Sequence, residues 1–333
     1  MNSTLKKPIG VFKALSFKGV VLFMLKACCA IALIALLYSY GFLDFRQSII
    51  EPLGSRFLLI LSSGCAFVLA ALAVLTWRLV LLLFVQGISI PFGRAFTITV
   101  SCNFVSAILP GIVGGDVVKL AYLFRFAPIR RSGAAAAVLA DRLFGLYGLI
   151  ILGSVSMGCA VVAGLPIRHG IYWLVATCAV LATVGLVVVI EISHRMRMST
   201  EQKSRFYVLL GRLASAVTKY RYQPRILISV LVLSVVGHAL IVGTFACCAV
   251  AIHDTLPLAH HFVLDPLAMM LNAVPISPGG LGLAEGAFAF LFAGAGSPNG
   301  AIIGLMGRML LYTVSIPIAV IGFVGQHNLT ATE

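Results

Sequence analysis

The sequence predicts an all-α polytopic membrane protein with about six full spans and two broken, re-entrant helical hairpins that form an inverted repeat. Three observations lead to this prediction. Of the 333 residues, 61% are hydrophobic and only 10% are charged, which leaves too little charge for the exposed face of a soluble domain. Six apolar stretches are long enough to cross a bilayer. Two further apolar stretches are each interrupted by proline and glycine, so the chain resembles one with about eight transmembrane segments.

The six uninterrupted stretches each contain the roughly 20 apolar residues that a span requires. They cover residues 19–43, 57–84, 133–163, 171–192, 225–252 and 300–325. A basic tail, residues 1–18, precedes the first stretch, and residues 326–333 form the C-terminal tail. The first stretch is too long for the core of a signal peptide, so we expect an uncleaved span with a cytoplasmic N-terminus.

The two interrupted stretches, 95–128 and 262–296, each have room for two short helices. If each stretch enters the membrane, turns at its break and leaves on the side of entry, the basic residues collect on one face. The tail then contributes four cytoplasmic charges, the exit of the first hairpin four and segment 193–225 eight, while residues 226–307 contain no Lys or Arg. This distribution follows the positive-inside rule. Residues 193–224 are interpreted as a basic amphipathic helix on the cytoplasmic surface or as a simple loop anchor.

The two breaks share an order of residues, namely an asparagine, a Pro-Gly pair, further glycines and an acid. In the first break these are Asn103, Pro110, Gly111, Gly114, Gly115 and Asp116. In the second break these are Asn272, Pro278, Gly279, Gly280, Gly282 and Glu285. The span after each break carries one arginine, which is Arg142 or Arg308. Because the two units would point in opposite directions, we predict an inverted repeat of units at about 57–163 and 225–325, within a single membrane domain, 19–325.

The breaks are the predicted binding site. Non-helical backbone at membrane depth is tolerated only where protein or a water-filled cavity surrounds it, and a helix start with free amides attracts anions. We therefore expect a lipid headgroup to bind at the residues of both breaks and at five more: Lys119, Asp141, Arg142, Arg308 and Tyr312. Arg142 is expected to meet Asp116, Glu285 or a lipid phosphate. Two alternatives stay open: the arginines only extend to the membrane surface or join helices, and the acids cap helix starts or bind a cationic group or a proton.

Other polar residues carry weaker predictions. Lys26 and Arg78 are expected to extend toward the membrane surface, and His238 to bond a neighbouring helix. Four residues are expected in a solvated outside loop, although their grouping would also suit a metal: His253, Asp254, His260 and His261. No catalytic residue, metal site or cofactor is predicted, because the eight cysteines form no CxxC pair and no nucleotide-binding or hydrolase motif occurs.

Three segments, NFVSAILPGIVGGDVVKLAYL, ADRLFGL and NAVPISPGGLGLAEGAF, resemble the flippase-like family named for the transmembrane region of lysylphosphatidylglycerol synthase. The resemblance covers nearly the whole chain. In larger members this unit is joined to a cytoplasmic domain that makes aminoacylated phospholipid from charged tRNA, and the membrane unit is held to move the lipid between leaflets. Since the chain ends at Glu333, eight residues after its last predicted span, we do not expect the synthesis activity. The resemblance places the family's motif positions at Pro110, Gly111, Gly114, Gly115, Asp116, Arg142, Pro278, Gly279, Gly280, Gly282, Glu285 and Arg308.

The leading hypothesis is a lipid translocase, without its own ATPase and not an enzyme, in the bacterial inner membrane. It would move an anionic or glycosylated lipid between leaflets. Its partners would be membrane lipids and a separately encoded lipid-biosynthesis enzyme, and no nucleic acid. Two alternatives are an enzyme embedded in the membrane that acts on a polyprenyl-phosphate lipid, and a lipid-binding accessory subunit of a separate synthase.

Overall fold

The computed structural model describes residues 54–108, 113–165, 170–177, 222–271 and 280–329, with residues 35, 37–39, 41, 179, 180, 184, 219 and 220. The described part of the chain is helical and contains no strand. Eight helices make up most of the described residues. They are α1 (Ser55–Val85), α2 (Phe92–Ile108), α3 (Val113–Phe126), α4 (Arg131–Val162), α5 (Pro224–Ala251), α6 (Leu258–Leu271), α7 (Leu283–Gly294) and α8 (Gly300–Leu329).

Four of these helices, α1, α4, α5 and α8, are long and apolar enough to cross a membrane. They confirm the spans predicted at 57–84, 133–163, 225–252 and 300–325. Large apolar side chains such as Leu59 and Phe84 on α1 point outward, as expected for a surface that faces lipid. The stretch 19–43 lies almost entirely outside the described residues, as do most of 171–192 and of 193–224.

The other four helices are too short to cross. They have 17, 14, 14 and 12 residues in α2, α3, α6 and α7. At 1.5 Å per residue they reach about 18–26 Å, less than the roughly 30 Å of a hydrocarbon core. Helix α2 packs against α3, and α6 packs against α7, so each interrupted stretch forms a helical hairpin.

The first hairpin enters and leaves at the same end of the bundle. Arg94, at the start of α2, lies 5.4 Å from the ring centroid of Phe126, at the end of α3. Arg130, just before α4, donates to the carbonyl oxygens of Gln86 and Gly87, just after α1. These contacts lie at the end where the chain enters and leaves the hairpin, which we call its mouth. The chain therefore enters and leaves on one side, and the hairpin is re-entrant.

The second hairpin has an equivalent mouth, which is held by a carboxylate. Asp254 Oδ2, after α5, accepts hydrogen bonds from Ser297 Oγ at 2.6 Å and Asn299 Nδ2 at 2.7 Å, before α8. The expectation of a solvated loop is wrong for His260 and His261, which lie in α6 and are buried. Within the described residues, no group of three His, Cys, Asp or Glu side chains is placed to hold a metal.

The two halves of the bundle are related by inversion. Helices α1–α4 and α5–α8 make matching contacts: α4 packs on α6 as α8 packs on α2, and α4 packs on α5 as α8 packs on α1. The equivalent helices α1 and α5 pack along each other. Near the start of α1, a Cβ on Gly64 would lie 3.5 Å from the Cβ of Cys247, near the end of α5. Further along α1, Arg78 Nη1 donates to Ser234 Oγ at 3.1 Å, nearer the start of α5. The numbering rises along α1 as it falls along α5, so the two helices are antiparallel and the repeat is inverted.

The hairpin mouths therefore lie at opposite ends of the bundle. Tyr220, just before α5, donates through its hydroxyl to the carbonyl oxygen of Leu82 at 3.1 Å. This contact places the chain before α5 at the end that holds the first mouth. The arrangement agrees with the predicted topology, in which the basic segment and the first hairpin open to the same side.

Candidate functional site

The first acid–arginine pair joins the hairpin helix α3 to the long helix α4. Asp116 lies in the first turn of α3, where the positive end of the helix dipole favours a carboxylate. Arg142 donates through Nε to Asp116 Oδ2 at 2.6 Å and through Nη2 to Asp116 Oδ1 at 3.0 Å. The expected meeting of Arg142 with Asp116 is therefore observed, and it is bidentate. The side chains are 47% and 16% exposed, so the guanidinium remains accessible.

The second pair joins the hairpin helix α7 to the long helix α8. Arg308 donates through Nε to Glu285 Oε1 at 2.7 Å, and its Nη2 lies 3.4 Å from the carbonyl oxygen of Gly280. Glu285 Oε2 accepts from the amide of Gly282 at 2.7 Å and so caps the start of α7, one of the two predicted roles. Tyr312, one turn beyond Arg308, shares a side-chain hydrogen bond with it.

Glycine is required at the second break because two residues have left-handed backbone. Gly280 has φ +74° and Gly282 has φ +81°, a region that side chains with a Cβ rarely adopt. This backbone turns the carbonyl oxygen of Gly280 toward Arg308 and the amide of Gly282 toward Glu285. The sequence motif thus positions both partners of the second pair.

The two pairs are equivalent in the fold and differ in exposure. Each links the first turn of the helix after a break to the following long helix. The second pair is closed, with side-chain exposures of 10% for Arg308 and 1% for Glu285. The first pair is open by comparison. The equivalent ion pairs of the two inverted halves therefore differ in how far their side chains are exposed.

A buried charge network lies beside the first pair. Asp141 Oδ1 accepts from Arg78 Nε at 2.8 Å, and Asp141 Oδ2 lies 3.5 Å from Lys119 Nζ. Arg78 also donates to Ser234 Oγ on α5 at 3.1 Å. The expectation that Arg78 extends to the membrane surface is wrong, because its side chain is only 7% exposed. Burial favours this carboxylate contact, since an unpaired charge inside the bundle would be costly.

The charged residues of α3 and α4 form two neighbouring ion pairs between these helices. Asp116 and Lys119 are three residues apart and share a face of α3, so they meet Arg142 and Asp141 of α4. Adjacent residues on a helix point apart, which explains why Asp141 and Arg142 have different partners. With Arg78, the group contains three cations and two carboxylates. The first half is therefore the more favourable half for binding an anion.

The remaining predicted residues are placed as follows. His238 Nε2 lies 3.0 Å from the carbonyl oxygen of Gly145, which confirms a bond between α5 and α4. Asn103 lies half-buried in α2, and Gly114 and Gly115 lie in the first turn of α3. Five predicted site residues fall outside the described residues: Pro110, Gly111, Asn272, Pro278 and Gly279.

Sequence reasoning missed two contributors to this region, Arg78 and Ser234. The available signal was the position of Arg78 deep in the apolar helix α1, where an uncompensated cation is costly. Its acid, Asp141, is 63 residues away, and only the packing of α1 on α4 identifies the partner.

A comparison with protein families shows what the chain is similar to. The family described as "Lysylphosphatidylglycerol synthase TM region" matches residues 18–322. The matched range contains both breaks and all four charged residues of the two pairs. No curated protein and no solved structure matches the chain.

Proposed function

Because the chain belongs to the family of the lysylphosphatidylglycerol synthase transmembrane region, we propose that it is a lipid translocase. It moves an anionic or glycosylated lipid between the leaflets of the bacterial inner membrane, with its N-terminus in the cytoplasm. A separately encoded lipid-biosynthesis enzyme supplies the lipid. The protein itself contributes binding and movement, and no bond of the lipid is changed.

The observation that carries this proposal is the pair of equivalent acid–arginine contacts in inverted halves. A guanidinium binds a carboxylate and a phosphate through the same two parallel hydrogen bonds. The phosphate of a lipid headgroup therefore replaces Asp116 at Arg142 without a change in the geometry of the arginine. The displaced carboxylate remains at the start of α3, where the helix dipole stabilises it.

The difference in exposure supports alternating access. Arg142 is open to a headgroup in this structure, whereas Arg308 is closed by Glu285 and Gly280. In transporters with inverted repeats, the two halves exchange conformations as the site opens to one side and then to the other. The opposite state is expected to bury the Arg142–Asp116 pair and to expose the Arg308–Glu285 pair.

The surplus cation favours an anionic headgroup. Lys119 and Arg78 share a single carboxylate, Asp141, one helical turn from the first pair. A bound phosphate would bring the charge of the group formed by Arg78, Lys119, Arg142, Asp116 and Asp141 close to zero. Such compensation is valuable at membrane depth, where isolated charges are poorly solvated. The acyl tails would stay in the bilayer, beside the outward apolar surface.

The experiment is a translocation assay in vesicles of phosphatidylcholine and phosphatidylglycerol that contain the purified protein. A fluorescent label on the headgroup of phosphatidylglycerol is quenched from outside, and the rate of loss of the protected signal is measured. Arg142→Ala is expected to lower the rate at least tenfold. Arg131→Ala, an exposed arginine on the same helix, is the matched control and should retain the rate.

If protected fluorescence is lost at the same rate with the parent protein and in protein-free vesicles, the proposal of a translocase is wrong. Retention of one anionic lipid by the purified parent, lost in Arg142→Ala, would then indicate the accessory, lipid-binding function. Chemical conversion of the labelled lipid, detected by mass spectrometry, would indicate the enzyme.

A further inference from the structure

We propose that His261 and Asp265 form a membrane-buried site for one exchangeable proton at the interface between the two halves of the bundle. The site supplies the coupling ion for the movement proposed above. Its existence as a proton site does not depend on the identity of the lipid, nor on lipid movement.

The two side chains form a compact pair on α6. Asp265 is one turn after His261, and Asp265 Oδ2 lies 3.2 Å from His261 Nδ1. Their side chains are 0% and 2% exposed. Two further polar atoms, Asp265 Oδ1 and His261 Nε2, are buried without a hydrogen-bond partner in the described structure. A packed pair that only held the helix together would leave fewer donors and acceptors unused.

Electrostatics require this pair to hold a proton while it is enclosed. With a neutral imidazole and an ionised carboxylate, the pair would carry one negative charge in a dry, apolar place. Adding one proton makes the pair neutral overall, either as a carboxylic acid beside imidazole or as a carboxylate beside imidazolium. Removal of net charge from an enclosed site is strongly favourable.

Among the described residues, the elements around the pair offer no other compensation for a negative charge. On α5, the buried thiol of Cys248 is a neighbouring titratable group. On α7, Glu285 is held by Arg308 and the amide of Gly282, and on α4, Asp141 is held by Arg78 and Lys119. On α6 itself, His260 is the neighbouring titratable residue. The ring of Phe292 on α7 covers His261 at 5.2 Å.

The position of the pair connects protonation to movement. Helix α6 belongs to the second half and packs on α4 of the first half, so the pair lies at a contact that changes when the halves move. Pro266 follows Asp265 inside α6 and lacks the amide that would bond one turn back, which makes the helix easier to bend there. Pro266 faces α4, since a Cβ on Gly153 would lie 3.7 Å from it.

The equivalent helix in the first half lacks such a pair. Helix α2 contains Arg94 as its charged residue and no acid or histidine. The proton site therefore belongs to only one of the two interfaces. When α6 separates from α4, water reaches the pair, the proton leaves to water, and Asp265 remains as a carboxylate that accepts from His261 Nδ1.

The first test measures proton occupancy directly by solid-state NMR of the full chain in lipid vesicles, with ¹³C-labelled aspartate carboxyls and ¹⁵N-labelled histidines. Asp265→Asn and His261→Gln identify the two signals. At pH 7 we expect the pair in its protonated form, as a carboxylic acid or as an imidazolium. His260→Gln is the matched control and should leave both signals unchanged. An ionised Asp265 beside a neutral His261 at pH 7 would overturn the proposal.

The second test measures how a pH gradient across the same vesicles changes the rate of lipid translocation. The parent should translocate labelled phosphatidylglycerol at least threefold faster with the gradient than without it. Asp265→Asn has nearly the shape and charge of the protonated acid, so it should fold and move lipid at the same rate with and without the gradient. An acceleration that persists in Asp265→Asn would contradict coupling. If the parent moves no lipid at all, the proposed function fails, and the NMR measurement at pH 7 alone decides on the proton site.

Discussion

Arg78 on α1 donates through Nε to Oδ1 of Asp141 on α4 at 2.8 Å, and this contact joins the first and last helices of the first half. The corresponding position in the second half, before Arg308, is Gly307. A Cβ on Gly307 would lie 2.4 Å from the ring of Phe245 on α5. The contact between the first and last helices is therefore an ion pair in the first half, whereas in the second half an aromatic ring packs against a glycine. The halves share a fold, and only the first carries the extra charges at this crossing.

Removing one partner of the buried Arg78–Asp141 pair is expected to destabilise the fold strongly, because the remaining buried charge loses compensation. Arg78→Met leaves Asp141 with Lys119 alone, and we expect a loss of about 3–5 kcal/mol in the free energy of unfolding. The coupling between the residues is measured by comparing Arg78→Met, Asp141→Asn and the double variant in chemical denaturation in detergent. The double variant should cost about 1–3 kcal/mol less than the sum of the singles. Additive losses would mean that the ion pair does not stabilise the fold.

The helices were largely predictable from sequence, because hydropathy and the positive-inside rule depend on local composition. The spans predicted at 57–84 and 225–252 match α1 and α5 closely. The prediction of re-entrant hairpins rested on charge counts, and the structure confirms them through contacts such as Arg94 with Phe126. Those contacts depend on the packing of distant segments, so sequence did not identify them individually.

The candidate site was predictable where a motif fixes the backbone, as at Gly282 and Glu285. It was not predictable where a residue finds its partner through tertiary packing. Arg78 was misjudged because a cation in an apolar helix either extends to the surface or pairs internally, and sequence does not distinguish these outcomes. His261 was misjudged because the end of α5 and the start of α6 were interpreted as one loop.

The two site arginines should differ in their effect on stability. Arg142 is 47% exposed, so Arg142→Ala is expected to cost about 1 kcal/mol or less and to leave the protein folded. Arg308→Ala removes the partner of Glu285, which is 1% exposed, and should cost about 3–5 kcal/mol. Denaturation of the purified variants in detergent, monitored by fluorescence, measures both losses.

A rescue variant separates charge from packing at the second pair. Glu285→Gln combined with Arg308→Ala removes the buried negative charge that the single variant leaves behind. This double variant should recover at least half of the stability that Arg308→Ala loses. If it recovers none, the loss comes from the contacts that Arg308 makes with Gly280 and Tyr312.

The inverted repeat predicts that the two hairpin mouths react from opposite faces of the membrane. Ile129, at the first mouth, is 97% exposed, and Leu258, at the second, is 57% exposed. Ile129→Cys and Leu258→Cys are each made in a Cys159→Ser background, because Cys159 is exposed near the end of α4. A maleimide that cannot cross the membrane should label Leu258→Cys in intact spheroplasts and Ile129→Cys only after permeabilisation. Labelling of both in intact spheroplasts would contradict the inverted arrangement.

Two glycines of α4 provide a matched test of the packing between the halves. A Cβ on Gly148 would lie 2.6 Å from the Cβ of Ser234 and 3.0 Å from its backbone carbonyl carbon on α5, whereas a Cβ on Gly158 meets nothing within 4 Å. Gly148→Ala should cost about 1–3 kcal/mol, because the backbones must separate. Gly158→Ala should be neutral or stabilising by up to about 1 kcal/mol, since alanine is the better helix former. Thermal unfolding of both variants in one detergent gives the comparison. Equal transition temperatures would contradict the close approach of α4 and α5 at Gly148 and Ser234.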